Sequence, residues 1–223
     1  MHEGKDFEVI NSDVTRSLLD LASVVNLSKE SIFLGSVALH VHTLSHGYFR
    51  KIKDVDVIVN KSCQSQVESD LNDLGYQRST FINDNMPLHK LLRRFGWNRY
   101  ARFYKDGAAD LEILFARIKR DANAVEVSIF PGLTAVLPTS ELQEVSLLGV
   151  TFTTVSAKQL LQIKVFAKNL LNRFYPKNDK TVRDIKALEN VVEGNEFNER
   201  RGGLRFKYLI FGLPLRRSMF VES

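Results

Sequence analysis

The spacing of apolar positions along the chain changes several times, and each change marks an element. From Ser12 or Asp13 to about Val25, the residues Val14, Leu18, Leu19, Leu21, Ala22 and Val25 recur at helical spacing, and Ser12 or Asp13 stands where a cap belongs. Ser31 to Leu34 is a short apolar run of strand type, closed by Gly35-Ser36. A helix follows from Val37 to about Leu44, and Gly47 is placed to stop it. Lys53 to Val59 reads as a strand. Gln64 to Leu74 reads as an amphipathic helix ended by Gly75, with Val67, Leu71 and Leu74 inward. Strand, helix and strand in this order predict an α/β fold.

Residues 76 to 120 are strand-like and basic. Within them, His89 to Lys105 interleaves Lys and Arg with Phe95, Trp97, Tyr100, Phe103 and Tyr104. That composition suits phosphates and stacked bases. It equally suits a hairpin whose aromatics are core and whose charges are solvated. Asp106-Gly107 is a turn signal, and it leads into a strand over Ala109 to Phe115. Three further strand-like pieces follow, Val125 to Phe130, Leu133 to Leu137 and Val145 to Thr153, punctuated by Pro131-Gly132 and Pro138. Ser156 to Phe174 is the strongest helical pattern. Its apolar stripe is matched by a face carrying Lys158, Lys164 and Lys168, and Pro176 ends it. A second helix spans about Lys180 to Val192. Beyond Glu193-Gly194-Asn195 the pattern fades into Arg200-Arg201-Gly202-Gly203 and a tail rich in Phe, Leu and Arg. These shifts divide the chain into a core over 1–154, a C-terminal helical part over 155–195 packed on it, and a basic tail over 196–223.

Composition narrows the class. The chain has 223 residues, 44% hydrophobic and 26% charged, which is ordinary for a soluble globular protein. No stretch approaches the ~20 apolar residues of a membrane span. Met1 to Asp6 is polar and lacks a signal-peptide core, so the expectation is a cytoplasmic protein with no membrane partner. One cysteine, Cys63, excludes an internal disulfide framework and a Cys-based zinc site. The net charge of +5 fits an anionic partner without separating a nucleotide from RNA.

The candidate chemistry lies in Lys53-Asp54-Val55-Asp56-Val57-Ile58-Val59. In a strand, Asp54 and Asp56 point to the same face and the valines to the other. Two carboxylates so placed repel each other unless a cation lies between them, and Mg²⁺ takes one or two carboxylates plus phosphate oxygens. A strand edge dipping into water gives the same pattern. Upstream, a strand that ends in Gly35-Ser36 and opens a helix offers small side chains and free backbone N–H groups, which is a phosphate site. A phosphate cradle followed by paired acids is the minimum equipment for phosphoryl or nucleotidyl transfer. His40, His42 and His46 lack an acid or Cys at ligand spacing. Cys63 has no activating base beside it, and Trp97 is of a type more often found in cores.

Gly35-Ser36, Asp54-Val55-Asp56 and a later strand acid, Asp110 in Ala109-Asp110-Leu111-Glu112, together resemble the polymerase-β-like nucleotidyltransferase superfamily. Within it the chain is most similar to AbiEii-toxin-like proteins and small antibiotic nucleotidyltransferases. Arg50 stands four residues ahead of the first Asp, as it often does there. Lys164 matches a lysine of one C-terminal helix, and Lys180 with Asp184-Ile185 matches a Lys-x-x-x-Asp-Ile pattern on the next. The likeness spans roughly residues 30 to 190. The segment 37–53 is longer than the family's usual gap, and Ile52 stands where a Thr is common.

The resemblance implies a mixed sheet flanked by helices, with a small C-terminal helical part. It implies Mg²⁺ or Mn²⁺ held by Asp54, Asp56 and Asp110, and an NTP whose phosphates meet Gly35, Ser36, Arg50, Lys164 and Lys180. Glu112 shares a strand face with Asp110 and either replaces or supports it. Asp184 either positions Lys180, four residues before it, or forms an ordinary surface pair with it. The implied reaction moves a nucleoside monophosphate to a hydroxyl or amine of RNA, protein or a small molecule. Toxin-like members imply a cognate antitoxin as well. A catalytically silent nucleotide-binding module and an RNA-binding protein stand as alternatives, and the oligomeric state is open.

Overall fold

Val55, Val57 and Val59 point to one side of strand β2 (Asp54–Asn60) and Ile58 to the other, and all four are buried. A strand apolar on both sides needs cover on both sides, and the elements around it supply that cover. The computed structural model describes residues 12–79, 100–121, 124–130, 133–171, 179–193, 205–210 and 213–215. Most of the basic aromatic run His89 to Lys105, Trp97 included, lies outside the described residues.

In chain order the elements are α1 (Ser12–Val24), β1 (Ser31–Phe33), α2 (Gly35–Thr43), β2, α3 (Gln64–Asp73), β3 (Gln77–Ser79), β4 (Tyr100–Tyr104), β5 (Asp110–Arg120), β6 (Ala124–Phe130), β7 (Leu133–Pro138), β8 (Leu142–Leu147), β9 (Val150–Val155), α4 (Ala157–Leu171), α5 (Asp179–Glu193), β10 (Arg205–Ile210) and β11 (Leu213–Leu215). The sheet runs β11-β10-β7-β6-β5-β2-β1-β9-β8, with β4 also paired to β5 and β3 to β4. It is mixed. β2 runs antiparallel to β1 and parallel to β5. The long strand β5 has two neighbourhoods: Asp110 to Ala116 pair with β2, and Arg117 to Arg120 pair with β6.

Each face of the sheet has its own apolar core. On one face Val14, Leu18 and Leu21 of α1 and Val67 and Leu71 of α3 pack over Val55, Val57, Leu111, Ile113 and Phe115. On the other face Ala38 and Leu39 of α2, Leu160 of α4 and Leu188 of α5 pack over Ile32, Ile58, Ala116 and Val155. Each such buried side chain stabilises the fold by roughly 1.5–3 kcal/mol. The even positions of β2 and β5 belong to this second face. At the strands' starting ends those positions are Asp54, Asp56, Asp110 and Glu112, so the acids emerge where the helical cover of α2, α4 and α5 begins.

One segment differs from the sequence pattern. The run Val145 to Thr153, expected as one strand, is a hairpin in which β8 and β9 pair through Leu147 and Val150. Leu148 and Gly149 at its tip have φ of 55° and 76°. Left-handed backbone at both central residues is the geometry of a tight type I′ turn, and a leucine at the first of them hides the usual Asn-Gly signal. In the tail, Arg205 to Tyr208 pair antiparallel with Leu133 to Val136 and extend the sheet. Among the described residues no helix is long and apolar enough to cross a membrane.

Candidate active site

The site is built on strand register. Asp54 of β2 lies directly opposite Asp110 of β5, and Asp56 directly opposite Glu112. Parallel pairing with side chains in phase places all four carboxylates on one face. The turn before Asp110 is anchored from α1: Ala109 N–H donates to the Asp13 carbonyl at 3.0 Å, and the Ser17 hydroxyl donates to the Ala109 carbonyl at 2.7 Å.

Gly35, the first residue of α2, is required twice over. Its φ is +60°, and a Cβ there would fall 1.8 Å from Asp56 Oδ2. The glycine thus lets the backbone close on the Asp56 carboxylate itself, while Leu34 N–H donates to the Asp56 carbonyl at 3.0 Å. Ser36 N–H donates to the Asp56 carboxylate, as the N-terminus of a helix favours. The buried Ser36 hydroxyl donates to Asp54 Oδ1 at 3.3 Å and accepts a short bond from Arg50 Nη2.

The long segment between Ser36 and Asp54 is accounted for by α2, a 3₁₀ turn over Leu44–His46, a left-handed Gly47, and a stretch that returns Tyr48 and Arg50 to the site. Ile52, at the usual Thr position, is buried in the core. Tyr48 and Arg50 converge on Asp184 of α5. The Tyr48 hydroxyl donates to Asp184 Oδ1 at 2.9 Å, Arg50 Nη1 to Oδ2 at 2.5 Å, and Lys164 Nζ of α4 to Oδ2 at 3.0 Å. The Asp184 side chain is only 2% exposed. Asp184, expected to work with Lys180, instead ties Lys164 and Arg50 together. Lys180 is exposed, and the Asp184 carboxylate is met by cations from other elements.

On the far side of the acids, Arg102 of β4 lies opposite Glu112. Arg102 Nε donates to Asp110 Oδ2 at 3.0 Å, a second and shorter bond runs from Nη2 to the same oxygen, and Nε lies 4.0 Å from Glu112 Oε1. The Tyr100 hydroxyl donates to Glu112 Oε2 at 2.5 Å. Burial, then this bond to a carboxylate, push the Tyr100 hydroxyl's pKa upward, so it remains a donor. Tyr48 carries no candidate role in the sequence pattern, and Tyr100 and Arg102 stand in it only as members of the basic aromatic run. Arg102 becomes visible only once β4 is set in register against β5, although the alternation Tyr100-Ala101-Arg102-Phe103 places Tyr100 and Arg102 on one face.

Charge is unevenly balanced across this cluster. The Asp56 pKa is raised from 3.8 to about 6, first by burial and then by the charges of Asp54 and Glu112, against the opposing pull of Ser36 N–H and Lys164. A carboxylate held in that state is short of positive charge. Among the described residues no three acidic, His or Cys side chains are already gathered into a metal cage. The donors nevertheless fit a hard divalent cation: they are carboxylate oxygens, two of them share one face of one strand, and like-charge repulsion raises the basicity of one. Asp54 and Asp56 would hold the ion, with Asp110 beside them.

No protein-family model and no curated protein sequence matches the chain. Solved structures do. The lincomycin-bound lincosamide antibiotic adenylyltransferase LnuA aligns with a TM-score of 0.54 at 16% identity, over 82% of this chain and 98% of its own. The fold is that of the nucleotidyltransferases. The antibiotic-resistance factor ANT(2'')-Ia in solution gives 0.51 at 14%, over 80% and 85% of the two chains. The same factor in complex with adenylyl-2''-tobramycin gives 0.50 at 14%, over 79% and 89%.

Proposed function

We propose that the chain is a nucleotidyltransferase that moves a nucleoside monophosphate from an NTP to an acceptor hydroxyl. The observation that carries this reading is the register that sets Asp54 against Asp110 and Asp56 against Glu112, beside a helix N-terminus formed by Gly35-Ser36. A shared fold alone would not carry it, because one fold serves many functions. Asp54, Asp56 and Asp110 are the metal ligands in this reading, and bound Mg²⁺ or Mn²⁺ supplies charge stabilisation of the in-line displacement at the α-phosphate.

The chain's own groups divide the remaining work. The Ser36 hydroxyl and the first N–H groups of α2 bind phosphate oxygens. Arg50 and Lys164, fixed by Asp184, neutralise the β- and γ-phosphates and then the leaving pyrophosphate. Asp110 draws on the proton of the acceptor hydroxyl, with Glu112 held behind it by Tyr100. Lys180, exposed on α5, serves the outer phosphates or none. The neighbours described as a lincosamide adenylyltransferase and as a complex with adenylyl-2''-tobramycin favour a small hydroxylated acceptor and ATP, ahead of RNA or protein.

The test is transfer of label from each of four α-labelled NTPs, with Mg²⁺ or Mn²⁺, to cell extract and to a panel of hydroxylated small molecules. Wild type labels an acceptor. Asp54→Ala and Asp56→Ala each lower the rate by at least about a thousandfold, since loss of the metal's charge stabilisation is worth several kcal/mol. Folded wild-type protein that binds NTP but labels nothing would make this a silent module.

A further inference from the structure

Arg102 lies between two carboxylates and bonds to one oxygen of the first. Both described bonds from Arg102 to Asp110 end on Oδ2, and Glu112 Oε1 lies 4.0 Å from Nε. Glu112 is further fixed by Tyr100 on its other oxygen. On the neighbouring strand, among the described residues, no guanidinium bonds to the acids directly. The Arg50 guanidinium touches the Ser36 hydroxyl, and that hydroxyl touches Asp54. Among the described residues, a guanidinium thus bonds directly to Asp110 and not to Asp54 or Asp56.

We propose that Arg102 is the resting counter-cation of Asp110 and fixes the order in which the carboxylates become ligands. Asp54 and Asp56 are open to a divalent cation in the nucleotide-free protein. Asp110 becomes a ligand only after Arg102 is released from it. This rests on the nucleotidyltransferase reading above. The physical reason is competition: a guanidinium and a divalent cation seek the same carboxylate, and each repels the other. An incoming triphosphate offers Arg102 an alternative anion with the same fork geometry. Arg102 is 38% exposed, which gives its head room to move. It is therefore a positioning residue, acting through Asp110.

The experiment is a Mn²⁺ titration of the nucleotide-free full chain, following free Mn²⁺ by electron paramagnetic resonance. Wild type, Arg102→Ala, Arg102→Lys, Asp110→Asn and the Arg102→Ala/Asp110→Asn double variant are compared, after circular dichroism has established that each is folded. Arg102→Ala is expected to bind Mn²⁺ about tenfold more tightly than wild type, ~1.4 kcal/mol. Arg102→Lys, which keeps the cation, should stay near wild type. In the Asp110→Asn background the loss of Arg102 should gain nothing. A purely structural role for Arg102 would weaken binding or leave it unchanged, and either result overturns the inference. The underlying reading fails separately. If wild-type Mn²⁺ binding is absent or indifferent to Asp54→Ala and Asp56→Ala, the metal site itself is wrong and the inference goes with it. If binding depends on those acids but not on Arg102, only the inference falls.

Discussion

Asp20 and Asp56 are carboxylates folded under opposite faces of one sheet, and their acidities move in opposite directions. Burial raises the pKa of both. At Asp20, however, Lys105 at 3.0 Å and Arg16 at 3.1 Å outweigh burial by hydrogen bond and charge, and the net shift is downward. The Tyr76 hydroxyl adds a bond at 3.2 Å, and Lys105 also sits 5.0 Å over the Tyr76 ring. At Asp56 burial is reinforced by Asp54 and Glu112, and the pKa rises to about 6. A carboxylate supplied with cations by its own chain holds a structure together. One left without them keeps an unfilled demand for charge, which a ligand can meet. Asp184 extends the comparison: it is more buried than either, yet fully supplied by Tyr48, Arg50 and Lys164.

The largest effect on stability should come from breaking the supplied site nearest the acids. Asp184→Ala leaves Arg50 and Lys164 facing each other without their carboxylate. Removing one partner of a buried ion pair costs about 3–5 kcal/mol, so the variant should lose that much in urea denaturation. Asp184→Asn keeps an acceptor and should lose less. A loss below ~1 kcal/mol for the alanine variant would mean that the network is solvated and the comparison is drawn too sharply.

The unsupplied site should respond with the opposite sign. Asp56→Asn removes a charge that the metal-free fold must hold against its neighbours, while its side-chain carbonyl still accepts from Ser36 N–H. A folded-state pKa raised from 3.8 to about 6 makes the carboxylate's burden absent below about pH 4, growing as pH rises to 6, and complete above it. At pH 7 that burden is roughly 3 kcal/mol. In EDTA, Asp56→Asn should therefore be about 2–3 kcal/mol more stable than wild type at pH 7 and about equal to it at pH 4. The same variant should be inactive. A variant that is less stable than wild type at pH 7 would show that Asp56 is not short of cations.

How much of this was legible in the sequence follows from how local each feature is. The strand with Asp54 and Asp56, the helix opened by Gly35, and the left-handed Gly47 and Gly75 were readable because period and turn chemistry are local. The β8–β9 hairpin was not, since Leu148 occupies a left-handed position that sequence statistics assign to Asn or Gly. Asp110 was found by motif, yet its opposition to Asp54 is a matter of register, and register lies between strands. The contacts of Arg102 and Tyr48 were not legible for the same reason. Their partners Asp110 and Asp184 come from other elements, and no spacing along the chain encodes such a meeting. Lys180 shows the converse: its spacing to Asp184 is right for a helix pair, but tertiary partners won the carboxylate.

The smallest expected effect belongs to the reference site itself. Asp20→Asn removes the carboxylate from Arg16 and Lys105 but leaves an acceptor for the Tyr76 hydroxyl. Arg16 is 57% exposed, so its share is a few tenths of a kcal/mol at most, whereas Lys105 is 18% exposed and loses its partner in a half-buried setting. The total should be about 1–2 kcal/mol. Because the folded-state pKa is depressed, wild type carries this contribution at pH above the unfolded value of about 3.8 and loses it as pH falls through the lower folded value. The gap between Asp20→Asn and wild type should therefore close in acid, the range in which Asp56 is already protonated and silent. A gap that instead widens in acid would mean that Asp20 is held by burial and not by its cations, and the contrast between the two faces of the sheet would dissolve.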